Sequence, residues 1–355
     1  MSKLISSLFV SALLISAFGN SSFASERLDA IAHFNKYPDA EYNDCWGYTD
    51  QNGREYALLG VRTGTSIIDI TDAPDIREVG FIKSADSIWK DIKTYQHYAY
   101  VVTDMDGLGL QIIDLSGLPD KVELVNTYKG FSISHNLWVD NQTGILYAQR
   151  TYGSGVRALS LKDPVHPVEV SEFGSETHDM YVRNGRAYIS EGGHDTIGIY
   201  DVEDIMNPSL VKRFQIPHSG YVHNSWLSEE GGFLMTTEET PGKTVKMWDI
   251  RDLNDIHIAS EYLAPNGLAH NAHIKGQYAY LSHYGSGLRI LDISDPYHIQ
   301  EVAYFLKGET DNPGTPSDPY VDAWGAFPFF ESGKVLISDI EDGLYVVHFD
   351  GAKEE

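Results

Sequence analysis

The 355-residue chain carries 51 acidic against 26 basic side chains, a net charge of −25, and is 42% hydrophobic. That charge argues against nucleic acid and anionic membranes as partners, since both select cationic surfaces; the apolar share argues against disorder. Forty-two aromatic residues, 32 Gly and 14 Pro favour many short strands joined by turns.

At the N-terminus, Lys3 precedes a short apolar run broken by serines, and small residues stand at Ser22 and Ala24. This pattern predicts a signal peptide over residues 1–24, cleaved after Ala24, and a secreted or periplasmic protein. No later segment has the length and apolarity of a membrane span, so one soluble, monomeric domain over residues 25–355 is expected. Cys45 is the only cysteine. It has no disulfide partner, and its apolar surroundings suggest buried packing.

From Thr65 onward, an apolar-x-apolar-apolar-Asp-apolar run recurs seven times, ending at Asp69, Asp114, Ser160, Asp201, Asp249, Asp292 and His348 in the Asp slot. The Asp is expected to cap a turn by accepting backbone N–H groups just after a strand. Upstream of each run stands a His or Trp: Trp46, Trp89, His135, His178, His223, His270 and Trp324, with gaps of 43, 46, 43, 45, 47 and 54 residues. Two further strand-like runs complete each repeat. Four short strands every 45 residues or so predict a seven-bladed all-β propeller. The seventh repeat lacks its fourth strand, and Ala30–Asn35 resembles the missing one, so the N-terminal strand is expected to close the ring.

The Asp-ended strands and their following Pro turns resemble the LVIVD repeat, and the mature chain resembles the choice-of-anchor B family of exported LVIVD propellers. Asn43-Asp-Cys-Trp-Gly-Tyr48, Ser134-His-Asn136, Thr177-His-Asp179, Val222-His-Asn224 and Asp322-Ala-Trp-Gly325 carry that likeness. The resemblance implies the fold and export but brings no reaction, substrate or catalytic set. Ser160 and His348 depart from its Asp position, and no C-terminal anchor follows.

Within a blade, the start of the first strand lies beside the end of the antiparallel second. The His/Trp series should therefore meet Gly60, Asp104, Arg150, Glu191, Glu238, His283 and Asp339 at one mouth of the channel. Converging imidazole and carboxylate suit a divalent metal ion, with His178, His223, His270 and Glu238 as candidate ligands. His135, Arg150, Glu191, His273 and His283 are candidates for holding a small polar ligand. For acid–base chemistry the candidates are His178 and His223, helped by Arg150, Tyr152 and Tyr284; Arg157 and Arg289 lie near the two Tyr-Gly-Ser-Gly loops. Trp and His alternate in one slot, so flat rings packing blade to blade account for the series equally well. Three functions stay open: a module binding a ligand, metal or extracellular protein, a metal- or His-dependent hydrolase or lyase, and an interaction scaffold.

Overall fold

The computed structural model of the protein describes residues 25–351 apart from 106, 108, 152, 154, 313, 316 and 317, so the expected signal peptide and Tyr152 lie outside the described residues. The described residues contain no helix, and none long and apolar enough to cross a membrane. Seven antiparallel sheets form a β-propeller. Blades one to six span 42–83, 90–128, 136–173, 179–215, 222–262 and 269–305; blade seven joins 323–348 to the N-terminal strand Ala30–Phe34.

Each sheet is sandwiched between two neighbours, which explains why its central strands read as unbroken apolar runs. Glu55–Val61 and Gly64–Asp69 of blade one are buried throughout, whereas the outer strand Arg77–Lys83 is half-exposed. At the outer end of the third strand, Oδ1 of Asp114, Asp201, Asp249 and Asp292 accepts the backbone N–H two residues on, at 2.8, 3.1, 3.1 and 2.8 Å. Ser160 does the same through its hydroxyl at 3.3 Å, so that departure from the repeat keeps the cap.

Ala30–Phe34 pairs antiparallel with Gly343–His348, placing His33 opposite Tyr345 with rings stacked at 4.2 Å. The ring is closed by this strand, as the sequence predicts. Across the joint, Lys334 Nζ of blade seven donates to Glu55 of blade one at 2.8 Å. An unexpected addition is Glu26–Arg27, which pairs parallel with the outer strand Gln300–Phe305 of blade six. The N-terminal segment thus straps two blades.

Candidate metal and ligand site in the central channel

The first strand of each blade lines the channel, and in several blades a β-bulge interrupts its start. Pairing jumps from Val222↔Glu238 to Asn224↔Thr237, from Ala269↔His283 to Ala272↔Leu281, and from Ala323↔Asp339 to Gly325↔Ser338. His223, His270 and Trp324 fall inside these jumps. A bulge re-aims its side chain, and all three side chains line a cavity of about 820 Å³.

The next blade fixes each imidazole. Nδ1 of His178 donates to the His223 carbonyl at 3.0 Å, Nδ1 of His223 to the His270 carbonyl at 3.0 Å, and Nδ1 of His270 to the Trp324 carbonyl. A carbonyl only accepts, so these rings carry hydrogen on Nδ1 and, when neutral, present a bare Nε2. Burial, reinforced by neighbouring imidazoles, holds His178 and His223 well below the ordinary value, and burial pushes His270 down to about 3. The three rings are therefore neutral near pH 7. Nε2 of His178 is already engaged, since it accepts from Nε2 of His135 at 3.0 Å. Nδ1 of His135 in turn lies 3.1 Å from Asp104.

His223 and His270 are left free, and with Glu239 they bring three ligand atoms within 4.8 Å of one another. Nε2 of His223 is 3.7 Å from Oε2 of Glu239. Ligands of a tetrahedral zinc ion sit roughly 3.4 Å apart, so the trio needs to draw in by about 1 Å. Burial pushes the Glu239 carboxyl up to about 7, and Tyr284 hydrogen-bonds to it. Tyr284 also packs on His270 at 4.7 Å, and the long connector before blade seven sets Tyr320 edge-on to Tyr284 at 5.2 Å. Arg150 stands at the same mouth, 3.5 Å from the Tyr221 hydroxyl, and forms no ion pair among the described residues.

Three expected members turn away from the cavity. Glu238, the last residue of its strand, pairs with Val222 and faces Lys246 on the other side of the sheet. The bulge opposite it puts Glu239 beside His223 instead. Glu191 is held by Arg213 at 2.6 and 2.7 Å and by Thr196 at 2.6 Å. Both ring nitrogens of His283 are occupied, one accepting from the Leu268 N–H at 3.1 Å, the other donating to the Tyr284 carbonyl at 2.9 Å. Arg157 and Arg289 are likewise held by Glu169, and by Glu301 and Asp311, respectively.

The ring series is also displaced in two blades. Asp44 accepts from the Ile92 N–H at 2.9 Å and Asp91 from the Leu137 N–H at 2.6 Å, as Asn224 does from Ala272 at 3.0 Å. These matching clasps put Asn43 and Lys90, not Trp46 and Trp89, in the slot of the imidazoles. Asn43 fits because Gly60 has no side chain, a Cβ there lying 1.8 Å from its Oδ1. Trp46 belongs three residues deeper, with Lys93, Trp138, Tyr181, Trp226, His273 and Phe327. There Trp46 packs against Phe327 and Phe329 at 5.0 and 6.2 Å, and His273 against Trp226 at 4.8 Å. This layer of rings forms the floor of the channel. Its spacing, a constant three residues after each slot residue, was the available signal.

The LVIVD repeat family model matches residues 88–127 and 266–306, which are blades two and six. The protein is a β-propeller that carries LVIVD repeats in two of its seven blades. No curated protein matches the sequence. In this LVIVD propeller the Asp-ended motif occupies the third strand of each blade, while the channel is lined by the first. The repeat therefore accounts for the scaffold, and what the scaffold does depends on the channel residues.

Proposed function

We propose that this LVIVD propeller is an exported, monomeric module that binds a divalent transition-metal ion at the channel mouth and, through it, a small polar ligand. The observation that carries this reading is the convergence of His223 and His270, each with Nδ1 pinned by a neighbouring carbonyl, on Glu239. Fixing the far nitrogen of a histidine is what orients it as a ligand and sets its tautomer. A set of two imidazoles and one carboxylate leaves one coordination position for a ligand. Arg150 at the rim would favour a ligand carrying negative charge, against the acidity of the whole chain. Export rests on Lys3, the apolar run after it, and Ser22 and Ala24.

The test is elemental analysis and calorimetric titration with Zn²⁺ of protein purified without a histidine tag. About one ion per chain is expected, lost in the His223→Ala, His270→Ala double variant while the fold survives. Tag-free protein that takes up no ion from Zn²⁺, Cu²⁺ or Mn²⁺ refutes the reading. Hydrolysis is a second reading, favoured by the vacant coordination position of a three-ligand set. It requires turnover that disappears with the metal and with Glu239→Gln.

A further inference from the structure

The two sides of the channel mouth differ. Toward blades one, two and seven, Ile88, Trp89 and Ile340 line the cavity, each half-exposed. Trp89 and Ile340 pack on a buried cluster of Leu268, Tyr284 and Trp324. Trp89 and Trp324 meet at 5.9 Å across blade one, whose own slot holds the short Asn43. The loop that presents Ile88 and Trp89 is pinned: the Trp89 N–H donates to the Ser87 hydroxyl at 3.0 Å, that hydroxyl donates to the Trp89 carbonyl at 2.8 Å, and Lys90 donates to the Ser87 carbonyl at 2.9 Å. Neighbouring apolar side chains held in place with part of their surface in a cavity are a contact surface.

Arg150 stands across the channel. Blade three, which carries it, is three steps from blade seven in a ring of seven, the widest separation that such a ring allows. Its backbone takes φ 54°, a left-handed conformation costly for any residue with a side chain. In a chain of 51 acids and 26 bases, this exposed guanidinium touches the Tyr221 hydroxyl and no carboxylate among the described residues. An unpaired arginine facing a cavity is a site for an incoming carboxylate, which its fork can hold through two hydrogen bonds. On the apolar side the rim is acidic, with Glu41, Asp318 and Glu341. A second negative charge there meets these carboxylates, and a cationic head meets Arg150.

We propose that the mouth binds a monocarboxylate with an apolar chain, its carboxylate on Arg150 and its chain along Ile88, Trp89 and Ile340. An alkyl chain suits that wall because hydrophobic contact is non-directional and asks for no flat platform. The cavity, about 820 Å³ in all, is of ordinary size for a small-molecule site that joins an apolar wall to a few placed polar groups. The inference rests on the metal reading only for the metal's share in holding the carboxylate.

The experiment titrates tag-free protein, treated with Zn²⁺ or with EDTA, against butanoate, hexanoate and octanoate by calorimetry, with octylamine and suberate as controls. Elemental analysis gives the zinc content of each sample. Affinity is expected to rise about tenfold for every two methylenes, and octanoate should bind better than both controls. Arg150→Gln should lower octanoate affinity at least tenfold at an unchanged melting temperature. Trp89→Ala should flatten the dependence on chain length; should that variant melt early, Ile88→Asn carries the same test. Affinity independent of chain length, a control that binds as well as octanoate, unaltered affinity in Arg150→Gln, or no octanoate binding by the zinc-treated protein overturns the proposal. A chain-length gradient in protein that takes up no zinc overturns the metal reading alone, and zinc uptake without the gradient overturns this inference alone.

Discussion

His135 and His178 meet Nε2 to Nε2 at 3.0 Å, so one ring donates and the other accepts. Because His178 spends its Nδ1 hydrogen on the His223 carbonyl, it is the acceptor. Its only lone-pair nitrogen is therefore occupied, and it is not a metal ligand in this arrangement. Accordingly, His178→Ala should leave the metal content of the protein near that of the wild type. His223→Ala and His270→Ala should each weaken Zn²⁺ binding at least tenfold, measured by competition with a chelator dye. Equal losses in all three variants would show that the imidazoles act together and that the trio with Glu239 is wrongly drawn.

Adjacent glutamates should part company on mutation. Glu238 is fully buried against Lys246, and breaking a buried pair costs about 3–5 kcal/mol. Glu238→Gln is expected to lower the melting temperature by several degrees without altering metal stoichiometry. Glu239→Gln should do the reverse: metal is lost, and stability holds or rises because a carboxyl pushed up by burial is replaced by a neutral amide. Melting curves and elemental analysis of the two proteins, side by side, distinguish these roles. Metal retained by Glu239→Gln would remove that residue from the site.

Metal-free protein should lose stability steeply in mild acid. Burial depresses His178 and His223 well below 6.5, His270 and His273 to about 3, and His283 to about 4. The unfolded chain takes up these protons near pH 6.5 and the folded one does not. Stability therefore falls as pH drops below about 6.5, by roughly 1.4 kcal/mol per pH unit for each imidazole. Glu239 and Asp179, raised by burial to about 7 and about 6, act oppositely, since the folded state protonates them first. Asp44, Asp322 and Asp339 are raised by burial as well and act in the same direction as those two, but the five imidazoles all begin to cost stability together near pH 6.5 and dominate the first part of the descent. Calorimetry from pH 8 to pH 4.5 with chelator present should show a melting temperature that drops sharply below about pH 6; a flat profile would mean that the buried rings are charged in the fold.

Removing residues 25–36 should uncover the edge of Gly343–His348 and strip away the His33–Tyr345 stack. Exposed strand edges invite pairing between chains, so aggregation or loss of a single cooperative melt is expected by light scattering and calorimetry. Removing residues 25–28 alone takes only the extra strand from blade six and should cost much less. An unchanged transition in the longer deletion would contradict closure by the N-terminal strand.

The propeller was legible because its signals are local. A cap such as Asp114 acts on a backbone N–H two residues away, and the strand before it shows its burial in its own apolar run. Even the ring-closing strand announced itself through likeness to the fourth strands. The channel was only partly legible, because its facing depends on bulges that leave no mark in composition. One such bulge puts Glu239, not Glu238, beside His223. In blade one the slot is held by Asn43, so the eye moves on to Trp46, three residues into the floor. Glu26–Arg27 is too short to be read as a strand without its partner Gln300–Phe305.

Seven similar blades would offer a ligand seven equivalent headings about the channel axis. The bulged slot breaks that degeneracy: Asn43 and Lys90 fill it in blades one and two, imidazoles in blades three to six, and Trp324 in blade seven. The imidazoles form an arc over one side, while Lys90 spends its ammonium on the carbonyls of Arg62 and Ser87, both at 2.9 Å. Anything entering along the axis is drawn off-centre toward that arc and arrives with one compass bearing. A scaffold made by repetition thus gains a handed, oriented interior through side-chain changes at a single position per blade.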